Sequence, residues 1–427
     1  MNNLTKLIKD EMKPALGVTE PGAIAYAAAK AREYTEGDIQ SISISLNSGI
    51  YKNAFTCGIP NSTQVGNKFA AALGAIAGDA SKGLEVLEDV TKEDNGNAKK
   101  LIDEGKVTVK LHEISSEIYI SAEVRTQDYT AAVTIDDASH TNISKITVNG
   151  KEKYKNKKGE SEDRSNSRNE ALIHKYTLGQ LLDYAKTIDI SEISFIEEAY
   201  EVNYELFKES LDNPGCIFAK QLLEINGGSI ISENEQTTAS LLCNATIEAR
   251  VLGLDKPAMI ISGSGVHGIM ATMPLLASYR VNKYRDEKLI RATALSYLIC
   301  MYIKEYSGKL SALCGCALAA GTGMACGLVY LKDGSLDMVK HTINNMASSI
   351  TGMICDGGNQ GCIMKGITTV DTAYKAADFA INGIYIDDIH GINATTAEET
   401  MRNMGLISAP GMTKTEETII DILKSKK

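Results

Sequence analysis

The feature that most constrains this chain is a change of hydrophobic period partway along it. In the first third, apolar residues alternate with polar ones. Ile39 to Leu46 reads Ile-Gln-Ser-Ile-Ser-Ile-Ser-Leu, the pattern of a half-buried strand. Val107–Leu111, Ile118–Val124, Thr130–Ile135 and Ile143–Val148 are expected strands of the same kind. From Thr177 onward the spacing is helical. Leu178, Leu181, Leu182, Ala185 and Ile188 mark one helix face, and Ile196, Ala199, Val202 and Leu206 another. Between the two regimes, residues 150–168 are charged and nearly free of apolar side chains, which reads as a solvated linker or insertion loop. The expectation is an α+β N-terminal domain with a small mixed sheet, residues 1–168, ending in a charged linker at about 150–168. A mainly α-helical C-terminal domain, residues 169–427, follows, read as all-helical.

The N-terminal region also carries helices. Leu4, Leu7, Ile8 and Met12 give one apolar face, which Pro14 and Gly17 break. Thr19-Glu20-Pro21 reads as a new helix start, with Thr19 as N-cap and Pro21 in the first turn. The run Ala23 to Ala31 continues it, and Gly66 to Gly78 reads as another small-residue helix. Aromatics are 6% and Trp is absent, so the helices must pack through small side chains at short range. Hydrophobic content of 44% in 427 residues is enough for a sizeable core. A net charge of -10 without a basic stripe argues against nucleic acid as a partner. The apolar run Ala312 to Tyr330 is broken by glycines and a Thr, so no membrane span is expected. The N-terminus has no long apolar core or cleavage site, so the nine cysteines point to a reducing cytoplasm.

In that setting, clustered cysteines suggest metal or catalysis before disulfides. Two glycine-rich patches hold them: Leu313-Cys314-Gly315-Cys316, and Cys355-Asp356-Gly357-Gly358-Asn359-Gln360-Gly361-Cys362. No CxxC pair is present, which argues against a zinc site. Three thiolates from two loops can hold an iron–sulfur cluster and leave one iron without a protein ligand. An open iron is a Lewis acid suited to gripping a leaving group. The bland alternative is that the thiols are small buried hydrophobes, which suits Cys216, Cys243, Cys300 and Cys326 in ordinary helical surroundings.

A second motif is Ser262-Gly263-Ser264-Gly265-Val266-His267-Gly268. It matches GxGxxG, but a convincing strand–helix unit and downstream acid for a dinucleotide site are lacking. A Gly/Ser loop entering a helix offers free N–H groups to an anion, and His267 could help bind a carboxylate. The alternative is a packed turn with a solvent-facing His. His140 lies between two expected strands, where a turn residue is the ordinary reading. Lys304, Lys309 and Lys365 are candidate bases, with nothing local to mark one as buried. A pyridoxal site is therefore not expected.

Together these segments resemble the L-cysteine desulfidase family. Gly17-Val18-Thr19-Glu20-Pro21 resembles its Gly-Cys-Thr-Glu-Pro helix start, and Ser139-His140-Thr141-Asn142-Ile143 its His-Thr-Asn-Ile segment. Ser262 to Pro274 is similar to its Gly-rich loop, and the two cysteine patches to its cluster-binding segments. More distantly, the chain resembles the α-chain of iron–sulfur L-serine dehydratases. The resemblance implies a [4Fe-4S] cluster on Cys355, Cys362 and one of Cys314 and Cys316, with Cys314 favoured. It implies a small amino-acid substrate contacted by Thr19, Glu20, His140, Ser264 and His267, with a homodimer as one assembly to expect. The β-substituent leaves, and aminoacrylate hydrolyses to pyruvate and ammonia.

Two departures stand out. The family's cysteine before Thr-Glu-Pro, its proton acceptor, is Val18 here, and the Asn before the loop His is Val266. Cys57, in Thr56-Cys57-Gly58-Ile59-Pro60, stands where the family more often has Val, and is the candidate replacement base. The sequence thus points to a lyase for L-cysteine first and L-serine second. The alternatives are a relative with a different substrate, and a non-catalytic iron–sulfur sensor.

Overall fold

The computed structural model describes residues 2–136, 139–156 and 171–426. The N-terminal part has a small mixed sheet, and the C-terminal part is mostly helical. Strand β1 (Lys13–Leu16) precedes six others in this part: β2 (Ser41–Leu46), β3 (Val107–Leu111), β4 (Tyr119–Arg125), β5 (Thr130–Asp136), β6 (Ile143–Val148) and β7 (Lys151–Lys155). The sheet runs β3-β2-β4-β5-β6-β7, with β2 and β3 parallel and the other pairs antiparallel. Its alternation is plain in β4 and β5, where Ile120, Ala122, Val124, Ala131, Val133 and Ile135 are all buried. One sheet face therefore packs on the core, against the Thr19–Arg32 helix.

Three expectations need correction. The charged stretch is not a linker from its start. Lys151–Lys155 form β7, a fully exposed edge strand, and its lysines suit an edge that must not pair further. The rest of that stretch, from residue 157, lies outside the described residues. The C-terminal part is not all-helical either. Strand β8 (Pro257–Ile260) pairs antiparallel with β1, Lys13 opposite Ile260 and Leu16 opposite Pro257. Pro14, read as a breaker, lies inside β1, and Gly17 follows its end. Finally, Thr19 is the first helical residue, and Val18 holds the N-cap position without a side-chain cap.

A single apolar cluster runs from Leu4 to Met404, so the sheet part and the helical part share one core. Its helices are long and buried on most faces. Glu235–Leu252 packs on Gly265–Asn282, which together with Asp286–Ser307 packs on the Gly321–Leu331 helix. Small residues permit this. The Gly321–Leu331 helix keeps Gly321, Thr322, Gly323, Ala325, Cys326 and Gly327 buried. Among the described residues no helix is long and apolar enough to cross a membrane.

Candidate active site

A cavity of about 180 Å³ opens where the two parts meet. Glu20 and Asn53 reach it from the N-terminal helices, and His140 from the connection between β5 and β6. Ser264, His267 and Lys304 form another wall, with Cys316 and Cys355 beside them. Four of the five residues expected to bind substrate therefore share one cavity. The fifth, Thr19, does not line it. Its Oγ1 accepts a hydrogen bond from Arg250 Nη2 at 3.1 Å, which anchors the helix start to the Glu235–Leu252 helix.

The thiol patches meet through their backbones. Leu313 and Ile354 form an antiparallel bridge. The N–H of Cys314 donates to Met353 O at 2.8 Å, and that of Cys355 to Ala312 O at 2.7 Å. Residues 355–362 then press onto the end of the Ser48–Asn53 helix. At Gly357, φ is 112° and a Cβ would lie 2.3 Å from Lys52 O, so only glycine fits. The Gly358 N–H donates to Asn53 O at 3.1 Å. The Cys355 thiol points at Asn53 Oδ1 across 3.7 Å, and the Cys362 thiol at Gly357 O across 3.6 Å. Cys316 opens a π-helical turn, Cys316–Ala320, a geometry that recurs at functional sites.

In this patch one thiol is drawn toward the thiolate and three are held toward the protonated form. The Cys314–Cys316 hydrogen bond lowers the Cys314 pKa and raises that of Cys316. Burial raises the Cys355 thiol, against the pull of Lys52 and Lys365. Burial likewise pushes Cys362 up to about 12. Among the described residues no three His, Cys, Asp or Glu side chains are set to hold a single metal ion. Four soft donors beside Lys52 and Lys365 do fit an iron–sulfur cluster, whose ligands spread around a larger body and whose negative charge needs cations nearby. By contrast, Cys216, Cys243, Cys300 and Cys326 are wholly buried free thiols.

The Gly/Ser loop is built as a strand–loop–helix unit after all. Strand β8 ends at Ile260, and Ile261 and Ser264 exchange backbone hydrogen bonds at 3.2 and 3.1 Å. Ser262, with φ of 48°, and Gly263 turn in the left-handed region, a strained geometry for serine. The 18-residue Gly265–Asn282 helix starts at once, and its first N–H groups have no partner within the helix. A Cβ on Gly268 would sit 1.9 Å from Met259 O, so the helix lies directly on β8. This is still no dinucleotide fold, because β8 pairs antiparallel in a two-stranded sheet.

His267 is not solvent-facing. It is 3% exposed, and its Nδ1 has no partner. Burial, then the Lys304 charge, pushes its pKa down to about 3, so the ring is neutral at pH 7. His140 is also buried, with an unpartnered Nε2 4.0 Å from Glu20 Oε1. Its pKa falls through burial, with Glu20 opposing. Asn53 Nδ2 holds the same Glu20 oxygen at 2.8 Å.

Cys57 lies beside Val18. A Cβ on Gly358 would touch Val18 Cγ1 at 3.3 Å and Cys57 Cβ at 3.5 Å. Its role as proton acceptor fares worse. The thiol is fully buried, does not line the cavity, and is held protonated by burial and then by the Glu20 carboxylate. Sequence reasoning missed Asn53 and Arg250 altogether. Lys304 it named without any sign of burial, yet the side chain is 6% exposed at the cavity wall.

The helical part carries a thiol-rich patch at a cavity that the small α+β part also lines. Residues 81–421 match the family described as serine dehydratase alpha chain, and this chain belongs to that family. Membership marks it as a lyase-type enzyme. It is also similar over its whole length to proteins named UPF0597. One from Clostridium botulinum (strain Okra / Type B1) is 41% identical over 426 residues, 99% of this chain and 98% of its own. One from Caldanaerobacter subterraneus subsp. tengcongensis is 37% identical, again covering 99% and 98%. One from Elusimicrobium minutum (strain Pei191) is 34% identical over 432 residues, with both chains fully covered.

Proposed function

We propose that this protein is an iron–sulfur-dependent lyase that removes the β-substituent of a small amino acid, L-cysteine first and L-serine second. The observation that supports the reading is one cavity lined by Cys316 and Cys355 of the thiol patch, by the Gly/Ser loop, and by His140, whose pKa burial lowers. Cys355, Cys362 and Cys314 would hold the cluster, with Cys316 as the alternative to Cys314. When bound, the cluster supplies an open iron as Lewis acid for the departing sulfur or oxygen.

The chain's own groups do the rest. The N–H groups after Ser262, with Ser264 and His267, receive the substrate carboxylate. Glu20 accepts hydrogen bonds from the substrate ammonium, its carboxylate held in place by Asn53. His140 Nε2 takes the α-proton, because it is neutral, unpartnered and faces the cavity. We assign this role to His140 in place of Cys57. The C–H electrons form the Cα–Cβ double bond, the β-substituent leaves with its electron pair, and hydrolysis of aminoacrylate gives pyruvate and ammonia. A reducing cytoplasm suits so many free thiols.

The test is turnover under anaerobic conditions. Protein purified without air and given L-cysteine or L-serine is expected to release pyruvate, with sulfide in the first case. An iron-loaded preparation that turns over neither, nor any other β-substituted amino acid, would leave the sensor reading in its place.

A further inference from the structure

Lys304 is a buried cation that the lyase reading leaves unused. It stands on the 22-residue Asp286–Ser307 helix, 6% exposed, at the cavity wall. Its neighbour Lys309 pairs with Glu305 at 3.3 Å. Among the described residues no carboxylate comes within ion-pair reach of Lys304. A buried ammonium without a counter-ion is costly, so such a position is kept where an anion arrives from outside.

Asp10, Glu11 and Glu20 line the same cavity but none of them pairs with Lys304, which leaves the thiol patch and an incoming carboxylate as its candidate partners. The thiol patch already has cations of its own. Lys52 and Lys365 act on Cys355, and Lys365 also acts on Cys314 and Cys362. The anion loop has none. His267 is neutral, and Arg250, beside Gly265, spends its Nη groups on Ala15 O and Thr19 Oγ1 and does not line the cavity. Lys304 sits beside His267, which stands in the first turn of the helix that follows that loop. A Cβ on Gly315 would lie 2.9 Å from His267 Nε2 and 3.3 Å from Lys304 Nζ, so the two side chains close on one spot.

We infer that Lys304 is the counter-charge for the substrate α-carboxylate, and the residue that admits amino acids while excluding their amides and amines. Burial lowers its pKa, opposed by the nearby Cys316 thiol, and a carboxylate bound beside it would act in the same direction as that thiol. The identity of the ligand rests on the lyase reading; the need for an anion at Lys304 does not.

The test uses binding without turnover. L-Alanine has the carboxylate and ammonium but no β-leaving group, and L-alaninamide lacks the carboxylate charge. Titration calorimetry on the anaerobic holoenzyme is expected to show L-alanine bound roughly 10- to 100-fold tighter, the scale of one charged hydrogen bond. Lys304→Met should erase that preference by weakening L-alanine alone, with iron content unchanged. Lys304→Arg should keep part of it. Should the Met variant not fold, Lys304→Gln carries the same test.

A wild type without the preference overturns the inference, as does a Met or Gln variant that keeps it. A variant that loses iron while still preferring L-alanine makes Lys304 a partner of the thiolates instead. Turnover of L-cysteine together with an unchanged preference in the variants sinks the inference and leaves the lyase. Lys304-dependent L-alanine binding without turnover of any amino acid does the reverse.

Discussion

Breaking the ion pair under the cysteine loop should destabilise the protein far more than removing the pair whole. Lys52 pairs with Glu416, and their side chains are 0% and 6% exposed. Lys52 Nζ also donates to Ser311 O at 2.7 Å, while Glu416 Oε1 has no partner. Removing one charge strands the other in the core, at a cost of about 3–5 kcal/mol. Lys52→Met or Glu416→Gln should each show that loss in urea unfolding followed by circular dichroism. The double variant Lys52→Met with Glu416→Leu should recover to within about 1 kcal/mol of wild type, since a buried pair is often neutral against an apolar replacement. Because Lys52 O and Asn53 O support Gly357 and Gly358, both single variants should also lose iron faster under a chelator. Single variants that cost less than about 1 kcal/mol, or a double variant as unstable as the sum of the singles, would refute the reasoning.

Other outcomes follow from the same geometry. Cys355→Ala or Cys362→Ala should abolish the brown colour of anaerobic protein, while Cys243→Ala keeps it, as iron and sulfide analysis would show. His140→Gln should lower kcat by roughly 10²-fold or more, the scale of a lost general base, with Cys57→Ser close to wild type; the opposite pattern returns the base to Cys57. His267→Ala should raise KM more than it lowers kcat, because a carboxylate contact exists before and during the reaction. His267 also sets a pH dependence. Its folded pKa of about 3 lies below the ordinary 6.5, so only the unfolded state takes up the proton between those values. Stability should therefore fall with pH below 6.5, by at most about 1.4 kcal/mol per pH unit, and His267→Asn should flatten the slope.

Elements with a strict period were legible in the sequence. Strands β2 to β6 and the helices around Leu181 and Leu206 fall where alternation and helical spacing place them. What escaped depends on distant partners. Lys13–Leu16 has Pro14 inside it, and becomes a strand only because residues 257–260 lie alongside. Lys151–Lys155 is too charged to read as a strand, and forms one because β6 offers an open edge. Segments that the sequence groups by chemistry, Cys355 with its loop and the Gly/Ser loop, do come together at one cavity. The site was illegible at Asn53, and at Lys304 only the residue and not its burial could be named, because placement at the cavity wall is set by tertiary packing. Cys57 shows the reverse error: its neighbourhood to Val18 follows from the motif, but the seal around its thiol does not.

The central claim is that a cluster with one open iron faces the cavity that Glu20, His140 and His267 line. Mössbauer spectra of ⁵⁷Fe-loaded anaerobic protein, with and without L-cysteine or L-serine, test it most directly. The account predicts a cluster with one distinct iron site, whose signal alone moves when the amino acid binds. A spectrum that does not respond to either amino acid, or protein that takes up no cluster on anaerobic reconstitution, would contradict it.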